Sequence, residues 1–330
     1  MHLLCLASDG LPQYHGRMII SASRRCDIPA FYPRWLAKRF ERQFVLVRNP
    51  FNRHQVGRVG LSPSEVDAIV FWSKNPAPLL PCLGTFEPFP YYFQYTLNGY
   101  SSAYEPKLPP IDERIATFLK LSGRCGMDRM VWRYDPILLS PDCTLEWHRK
   151  TFSSLCRRLS GYTDTCVISF LDLYRHMQPV CERLGIRTLE NAEMSELVEF
   201  CVSIATSCGM QIQTCAETID LVALGVVKGA CIDGLRLEKI SGKTFLTRKD
   251  KYQRSGCNCI ESVDIGTYDI CSHGCIYCYA NPGRSREGLL PMHDDDSPFL
   301  IGDPEAEDCV YERKPHSMVV SDTQCLFDFE

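Results

Sequence analysis

Residues 68–96 read AIVFWSKNPAPLLPCLGTFEPFPYYFQYT. Two apolar runs, AIVFWSK (68–74) and YYFQYT (91–96), stand at its ends. Both are rich in β-branched and aromatic residues, which suit a buried strand. The first run closes on polar residues before Pro76, a residue that cannot extend a sheet ladder. The same form recurs outward from this stretch. Upstream lie MIISAS (18–23) and FVLVRN (44–49); downstream lie MVWRYD (130–135), CVISFLD (166–172), QIQTCAE (211–217) and GACID (229–233). Helical spacing falls between several of them. Over 111–121, Ile111, Ile115, Phe118 and Leu119 share a face, and 144–159 and 191–208 repeat the pattern, the last with Asn191 as its N-cap. Eight candidate strands alternating with helices predict an α/β fold, a (β/α)8 TIM-like barrel. An open doubly wound sheet produces the same alternation and is the alternative.

A barrel carries the C-terminal ends of its strands to one mouth, where barrel enzymes do their chemistry. Arg24, Arg25, Arg48, Lys74, Asn98, Arg133 and Asp135 are the candidate cofactor-binding residues there, since guanidinium groups take carboxylates and phosphates in bidentate fashion. Asp172 and Glu217 are the candidates for positioning a substrate or taking a proton. A structural salt-bridge network closing the mouth would use the same residues. Trp72, Tyr95, Trp132 and Tyr134 offer stacking surfaces or plain core.

The chain has 330 residues with 45% hydrophobic and 23% charged, enough to bury a large core without cross-links, so its 19 cysteines need another explanation. An odd number spread along a long chain is unlike a secreted disulfide scaffold. The apolar stretch from Leu3 to Ala7 is too short for a signal peptide, and no run approaches the ~18–20 apolar residues of a membrane span. A reducing cytoplasmic setting follows, in which clustered thiols bind metal. The net charge of −4 hides an acidic C-terminal region containing Asp294, Asp295, Asp296, Asp303, Glu305, Glu307 and Asp308. The expected organisation is an N-terminal extension (1–17), a barrel (18–233), a cluster-binding segment (234–282) and an acidic, weakly ordered tail (283–330).

The cluster-binding segment contains CNCIESVDIGTYDICSHGCIYCYANP (257–282). Cys271, Cys275 and Cys278 form CxxxCxxC on a glycine-containing loop, suited to a four-iron, four-sulfur cluster with one iron left open. Cys215, Cys231, Cys257 and Cys259 supply four more thiolates, enough for a second, fully ligated cluster. Zinc is the competing metal, with His273 as a mixed-site ligand, although no second CxxC pair exists.

The cysteine spacing, with Tyr277 before the third Cys, resembles the radical S-adenosylmethionine motif, and its context is similar to the spore photoproduct lyases. That resemblance implies S-adenosylmethionine on the open iron, a reductant, and an anionic or nucleotide-like substrate; nucleic acid enters only by the photoproduct-lyase analogy. SASRRCDIPAFY, VRNPFN, VFWSKNP, TLNGY, WRYDPI, GACID, KYQRSGCNC, DIGTYDICSHGC and YCYAN together resemble the uncharacterised bacterial family called domain of unknown function eighteen-forty-eight. The motif stands after the strands rather than after the first one, and no Gly-Gly-Glu run follows an early strand. Three expectations therefore stand: a radical-type enzyme, an iron–sulfur protein that binds or senses without turnover, and a zinc-stabilised barrel hydrolase.

Overall fold

The computed structural model describes residues 17–246, 248–254, 256–282, 290–313 and 318–319; the expected extension, residues 1–17, lies almost wholly outside them. In chain order the elements are β1 (Met18–Ala22), α1 (Ile28–Phe31), α2 (Pro33–Arg42), β2 (Phe44–Asn49), β3 (Asn52–Gly60), β4 (Val66–Ser73), β5 (Tyr91–Thr96) and α3 (Ile111–Cys125). There follow β6 (Met130–Ile137), α4 (Leu145–Leu159), β7 (Thr165–Phe170), α5 (Gln178–Leu184), α6 (Asn191–Ser207), β8 (Gln211–Thr214), β9 (Val227–Lys228), α7 (Gly234–Ser241), β10 (Val263–Asp264) and β11 (Cys309–Glu312). Eight strands form one sheet in the order β10-β1-β4-β5-β6-β7-β8-β9. Every pairing within it is parallel.

The period-two alternation of the strands sorts their residues onto two faces. Ile20, Ile69, Phe93, Trp132 and Ile168 share a core with Trp35 and Phe40 of α2, Phe118 of α3, Phe152 of α4 and Leu197 and Cys201 of α6. Trp132 stacks on Phe152 with ring centroids 5.0 Å apart. Ile19, Val70, Tyr92, Val131 and Val167 pack instead against Cys231, Ile232, Leu237, Phe245 and Ile260. The long crossover helices thus cover one face, and the chain between 229 and 260 covers the other.

Four expectations need correction. FVLVRN is β2, but it pairs antiparallel with β3 in a separate sheet of order β11-β3-β2. The connection from Asn49 to Asn52 is too short for the crossover that a parallel neighbour requires. GACID is not a strand: the Cys231 carbonyl accepts from Tyr92 Oη (2.6 Å) and Gln94 Nε2 (2.8 Å) in place of a ladder. Six expected strands remain in the large sheet, and its other two places are taken by β9, just before GACID, and by β10, which lies beyond residue 233, so the expected boundary there cuts through the sheet. α6 is capped by Glu190, not Asn191, because Glu190 and Glu193 form a reciprocal capping box.

The acidic region is also better anchored than expected where it is described. Phe299 and Leu300 are buried, the Trp35 indole donates to the Ser297 carbonyl (3.0 Å), and β11 pairs with β3. Its carboxylates meet Arg34, Lys38, Arg48 and Arg53.

α4 also carries a buried histidine. The Nε2 atom of His148 lies 2.7 Å from the Leu138 carbonyl, which can only accept, so Nε2 carries the proton and Nδ1 accepts from Tyr134 Oη at 2.8 Å. Burial pushes this imidazole down to about 4. The unfolded imidazole protonates near 6.5, so the stability contributed by the neutral ring is complete above about pH 6.5 and is lost as pH falls toward about 4. The loss expected across that window is about 3 kcal/mol, on the order of 1.4 kcal/mol per pH unit. Denaturant unfolding measured against pH tests this, and an NMR titration placing His148 near 6.5 in the folded protein would refute it.

Candidate functional site

At the C-terminal end of the parallel sheet lies a cavity of about 420 Å³. Its wall takes residues from the turns after β1, β4, β6, β7 and β8, and from the chain between 253 and 280.

The turn after β1 is held by Asp264 on β10. Its carboxylate accepts from Ser21 Oγ (2.9 Å), Ser23 Oγ (2.6 Å) and the Arg24 backbone N–H (2.8 Å). Arg24 and Arg25 enter the cavity wall from this turn, each with its Nε almost 4 Å from Asp264 (3.8 and 3.9 Å). Asp27 then starts α1 by accepting from Ala30 N–H (3.0 Å). Its second oxygen accepts from the Lys74 N–H (2.8 Å) and from His273 Nε2 (2.7 Å).

Behind the wall Glu105 is buried against Lys74 (2.8 Å), Arg114 (3.3 Å) and the Tyr277 hydroxyl. Burial alone would raise the Glu105 carboxyl, but Lys74 and Arg114 outweigh it and hold the group below its ordinary range. The Lys74 ammonium therefore reaches the cavity already paired. Asn98 sits outside the cavity wall and donates to the Asp135 carbonyl (2.7 Å), bracing the strand end from behind.

The buried Arg133 guanidinium donates to Asp135 (Nε, 3.1 Å), Gln94 (3.2 Å) and the Cys231 sulfur (3.0 Å). Cys231 neighbours Cys215 and Cys259. The sulfurs of Cys215, Cys257 and Cys259 all lie within 4.8 Å of one another, with Cys215 and Cys257 4.0 Å apart.

Cys271, Cys275 and Cys278 line the same cavity from a loop fixed at several points. Asp269 N–H donates to the Ala280 carbonyl, closing the loop at its base (3.0 Å). Ile276 N–H donates to Tyr104 (3.1 Å), and Cys278 N–H turns back onto Cys275 (3.2 Å). Gly274 has φ 74°, a left-handed conformation that a side chain would oppose. Tyr277 anchors the loop by packing edge-on against Tyr100 with centroids 5.7 Å apart. Burial pushes the Cys275 thiol up to about 12 and the Cys271 thiol up as well, so metal binding here must displace protons.

The structure thus brings Arg24, Arg25, Lys74, Arg133, Asp135, Asp172, Glu217 and all seven candidate metal ligands to one cavity, and leaves out two of the predicted residues. Asn98 stands behind the wall. Arg48 is elsewhere, pairing with Asp308 and Glu305 beside the small sheet, because β2 is not a strand of the large one. Asp172 is an exposed rim residue bound to Arg254. Glu217 accepts from the Phe170 N–H (3.1 Å), and burial raises its carboxyl to about 7. Sequence reasoning missed Glu105, Asp264 and Arg254. Glu105 stands in an irregular loop without pattern, and the two residues of β10 are too few for periodicity to register. Tyr279, whose hydroxyl donates to the Arg24 carbonyl, was missed as well, although it directly follows Cys278.

An α/β protein with an eight-stranded parallel sheet and a thiol- and cation-lined cavity is the class these observations define. The model of the family "Domain of unknown function (DUF1848)" matches residues 19–280, and the chain belongs to that family. No curated protein matches it. Among solved structures it is similar to a protein from Bacteroides thetaiotaomicron VPI-5482 provisionally assigned as an alpha-L-fucosidase, with 12% identity, 67% of this chain and 80% of that chain covered, and a TM-score of 0.25. A likeness that weak carries no argument. No helix among the described residues is long and apolar enough to cross a membrane.

The two carboxylates Glu105 and Asp172 should respond differently to neutralisation. Glu105→Gln leaves Lys74 and Arg114 buried without their anion and should cost about 3–5 kcal/mol. Asp172→Asn at the exposed rim should cost less than about 1 kcal/mol. Equal losses in denaturant unfolding would show that the Glu105 network does not hold the wall.

Proposed function

We propose that the chain is an iron–sulfur enzyme of the radical S-adenosylmethionine type, acting on an anionic or nucleotide-like substrate in this cavity. The observation that carries the reading is that Cys271, Cys275 and Cys278, from a single braced loop, open onto a cavity that also receives cationic side chains from the strand ends. Three thiolates hold three irons of a cubane and leave one for a chelating ligand. The donor set fits such a group: soft sulfurs on the loop, with Arg24, Arg25, Lys74 and Arg133 to offset negative charge. In addition, His273 Nδ1 is buried without a hydrogen-bond partner, which suits a donor arriving with a ligand. The strand order supports the barrel reading of the sheet: it runs from β1 to β9 without reversal, and β10 then takes the far side of β1.

In this reading the cluster supplies, when bound, the electron that cleaves S-adenosylmethionine, and an external reductant restores it. The protein's own residues bind and orient. Arg24 and Arg25, whose contacts to Asp264 are long, hold the carboxylate or phosphate of a ligand. Lys74 and Arg133 keep fixed positive charge at the wall. Trp72, under the Arg133 guanidinium at 5.4 Å, offers an aromatic surface beside it. A compartment that keeps thiols reduced, such as the cytoplasm, suits these residues.

Anaerobic reconstitution should load about four irons with sulfide on this loop. Adding S-adenosylmethionine should then change the electron paramagnetic resonance spectrum of the reduced protein, and Cys271→Ala, Cys275→Ala or Cys278→Ala should each abolish the response. Arg24→Ala should keep the iron and weaken the response to S-adenosylmethionine about tenfold or more in concentration, the loss of roughly one charge-assisted contact. An unchanged spectrum at saturating S-adenosylmethionine, with the loop fully loaded, would leave a cluster-bearing binding or sensing protein as the better reading.

A further inference from the structure

We propose that Cys215, Cys231, Cys257 and Cys259 bind one tetrahedral metal ion of the zinc class, separate from the 271–278 loop and structural in role. The spacing of the sulfurs decides the kind of site. A single ion with metal–sulfur bonds of about 2.3 Å in tetrahedral geometry sets its sulfurs about 3.8 Å apart. Cys215 and Cys257 are 4.0 Å apart, and Cys259 lies within 4.8 Å of both. The ligand sulfurs of a cubane stand outside a core of irons and sulfides and are held much farther from one another. Cys231, buried beside Cys215 and Cys259, lies outside the trio whose sulfurs are all within 4.8 Å of one another, so as the fourth ligand it has to move toward the ion.

A second observation is independent of the spacing. Three N–H groups donate to these sulfurs: Arg133 Nη1 to Cys231 (3.0 Å), Ile232 N–H to Cys259 (3.3 Å) and Cys259 N–H to Cys257 (3.4 Å). Neutral thiols are weak acceptors, whereas metal-bound thiolates commonly carry such donors, which fix their orientation and spread their charge. Four thiolates on a divalent ion leave two negative charges, and Arg133 sits directly against them. An all-sulfur set without an open position is structural rather than catalytic. Its mechanical effect follows from where the ligands come from: the end of β8, the irregular crossing at 229–233, and the 256–260 turn. Among the described residues these last segments have little regular structure, and one ion would tie all three together at the cavity wall.

The test needs no activity and is independent of the iron–sulfur reading. In the full-length protein carrying Cys271→Ala, Cys275→Ala and Cys278→Ala together, elemental analysis should still find about one zinc per chain. Cobalt(II) should replace it with the charge-transfer and d–d bands of a tetrahedral tetrathiolate. Cys257→Ala with Cys259→Ala, in a chain whose 271–278 loop is intact, should take zinc close to zero. Because either variant could fail to fold, zinc-edge X-ray absorption on the unaltered protein gives a second reading. Four sulfurs at about 2.3 Å with no metal–metal scattering support the site. A wild-type protein without zinc, or one whose Cys257 and Cys259 hold iron and sulfide in a cubane, overturns it.

Discussion

A parallel sheet must be covered on both faces, because its strands are apolar on both. In this chain the crossover helices cover only one, and the stretch from 229 to 260 has to cover the other with one short helix and, among the described residues, no strand of a sheet. Its backbone groups then need partners drawn from elsewhere. Tyr92 and Gln94, side chains of β5, accordingly reach the Cys231 carbonyl, Asp233 N–H returns to the Tyr92 hydroxyl, and Ile260 N–H bonds the Ile232 carbonyl. The rest of the site depends on this covering layer. It brings Cys231, Cys257 and Cys259 against the end of β8, and it delivers β10, with Asp264, to the edge of β1.

The charges around the cavity divide into two groups once their partners are considered. Lys74 and Arg133 are consumed by Glu105 and by Asp135, Gln94 and Cys231, and they shape the wall more than they await a ligand. Arg24 and Arg25 make only long ion-pair contacts to Asp264; beyond these Arg24 reaches Ser262 Oγ (3.4 Å), and Arg25 donates to the Gly266 carbonyl (3.2 Å) and lies over Tyr268. The salt-bridge network, which sequence patterns set against a binding site as an alternative, is present, and it leaves Arg24 and Arg25 as the residues the proposed binding site would use.

Much of the sheet is legible in the sequence because its strands are buried on both sides and so read as unbroken apolar runs. FVLVRN has the same composition yet belongs to a hairpin, since composition does not report which strand is the neighbour; the short link to Asn52 does. The thiols and their division into groups of three and four are read from the sequence, but the spacing of the sulfurs within the second group is not. Whether sulfurs stand 4 Å apart or farther is decided by how the covering segment folds over Val70 and Tyr92, a matter of tertiary packing. Glu105 was invisible for a related reason. Its importance comes from Lys74 and Tyr277, which lie far from it in the chain, and from Arg114 on α3, all brought to it by separate elements.

The pairing of β10 with β1 has a consequence for how the protein is made. Ile20 lies against Val263 and Ser21 against Asp264, so the first described strand of the large sheet completes its pairing only with the last. Until that stretch leaves the ribosome, the turn bearing Arg24 lacks the carboxylate that holds it, and the thiols at 257–278 are not yet there to meet it. The strands from β1 to β8 all precede that stretch, so the cavity wall is completed last. A ligand therefore meets the full wall of the cavity only once the stretch from 257 to 278 has been made.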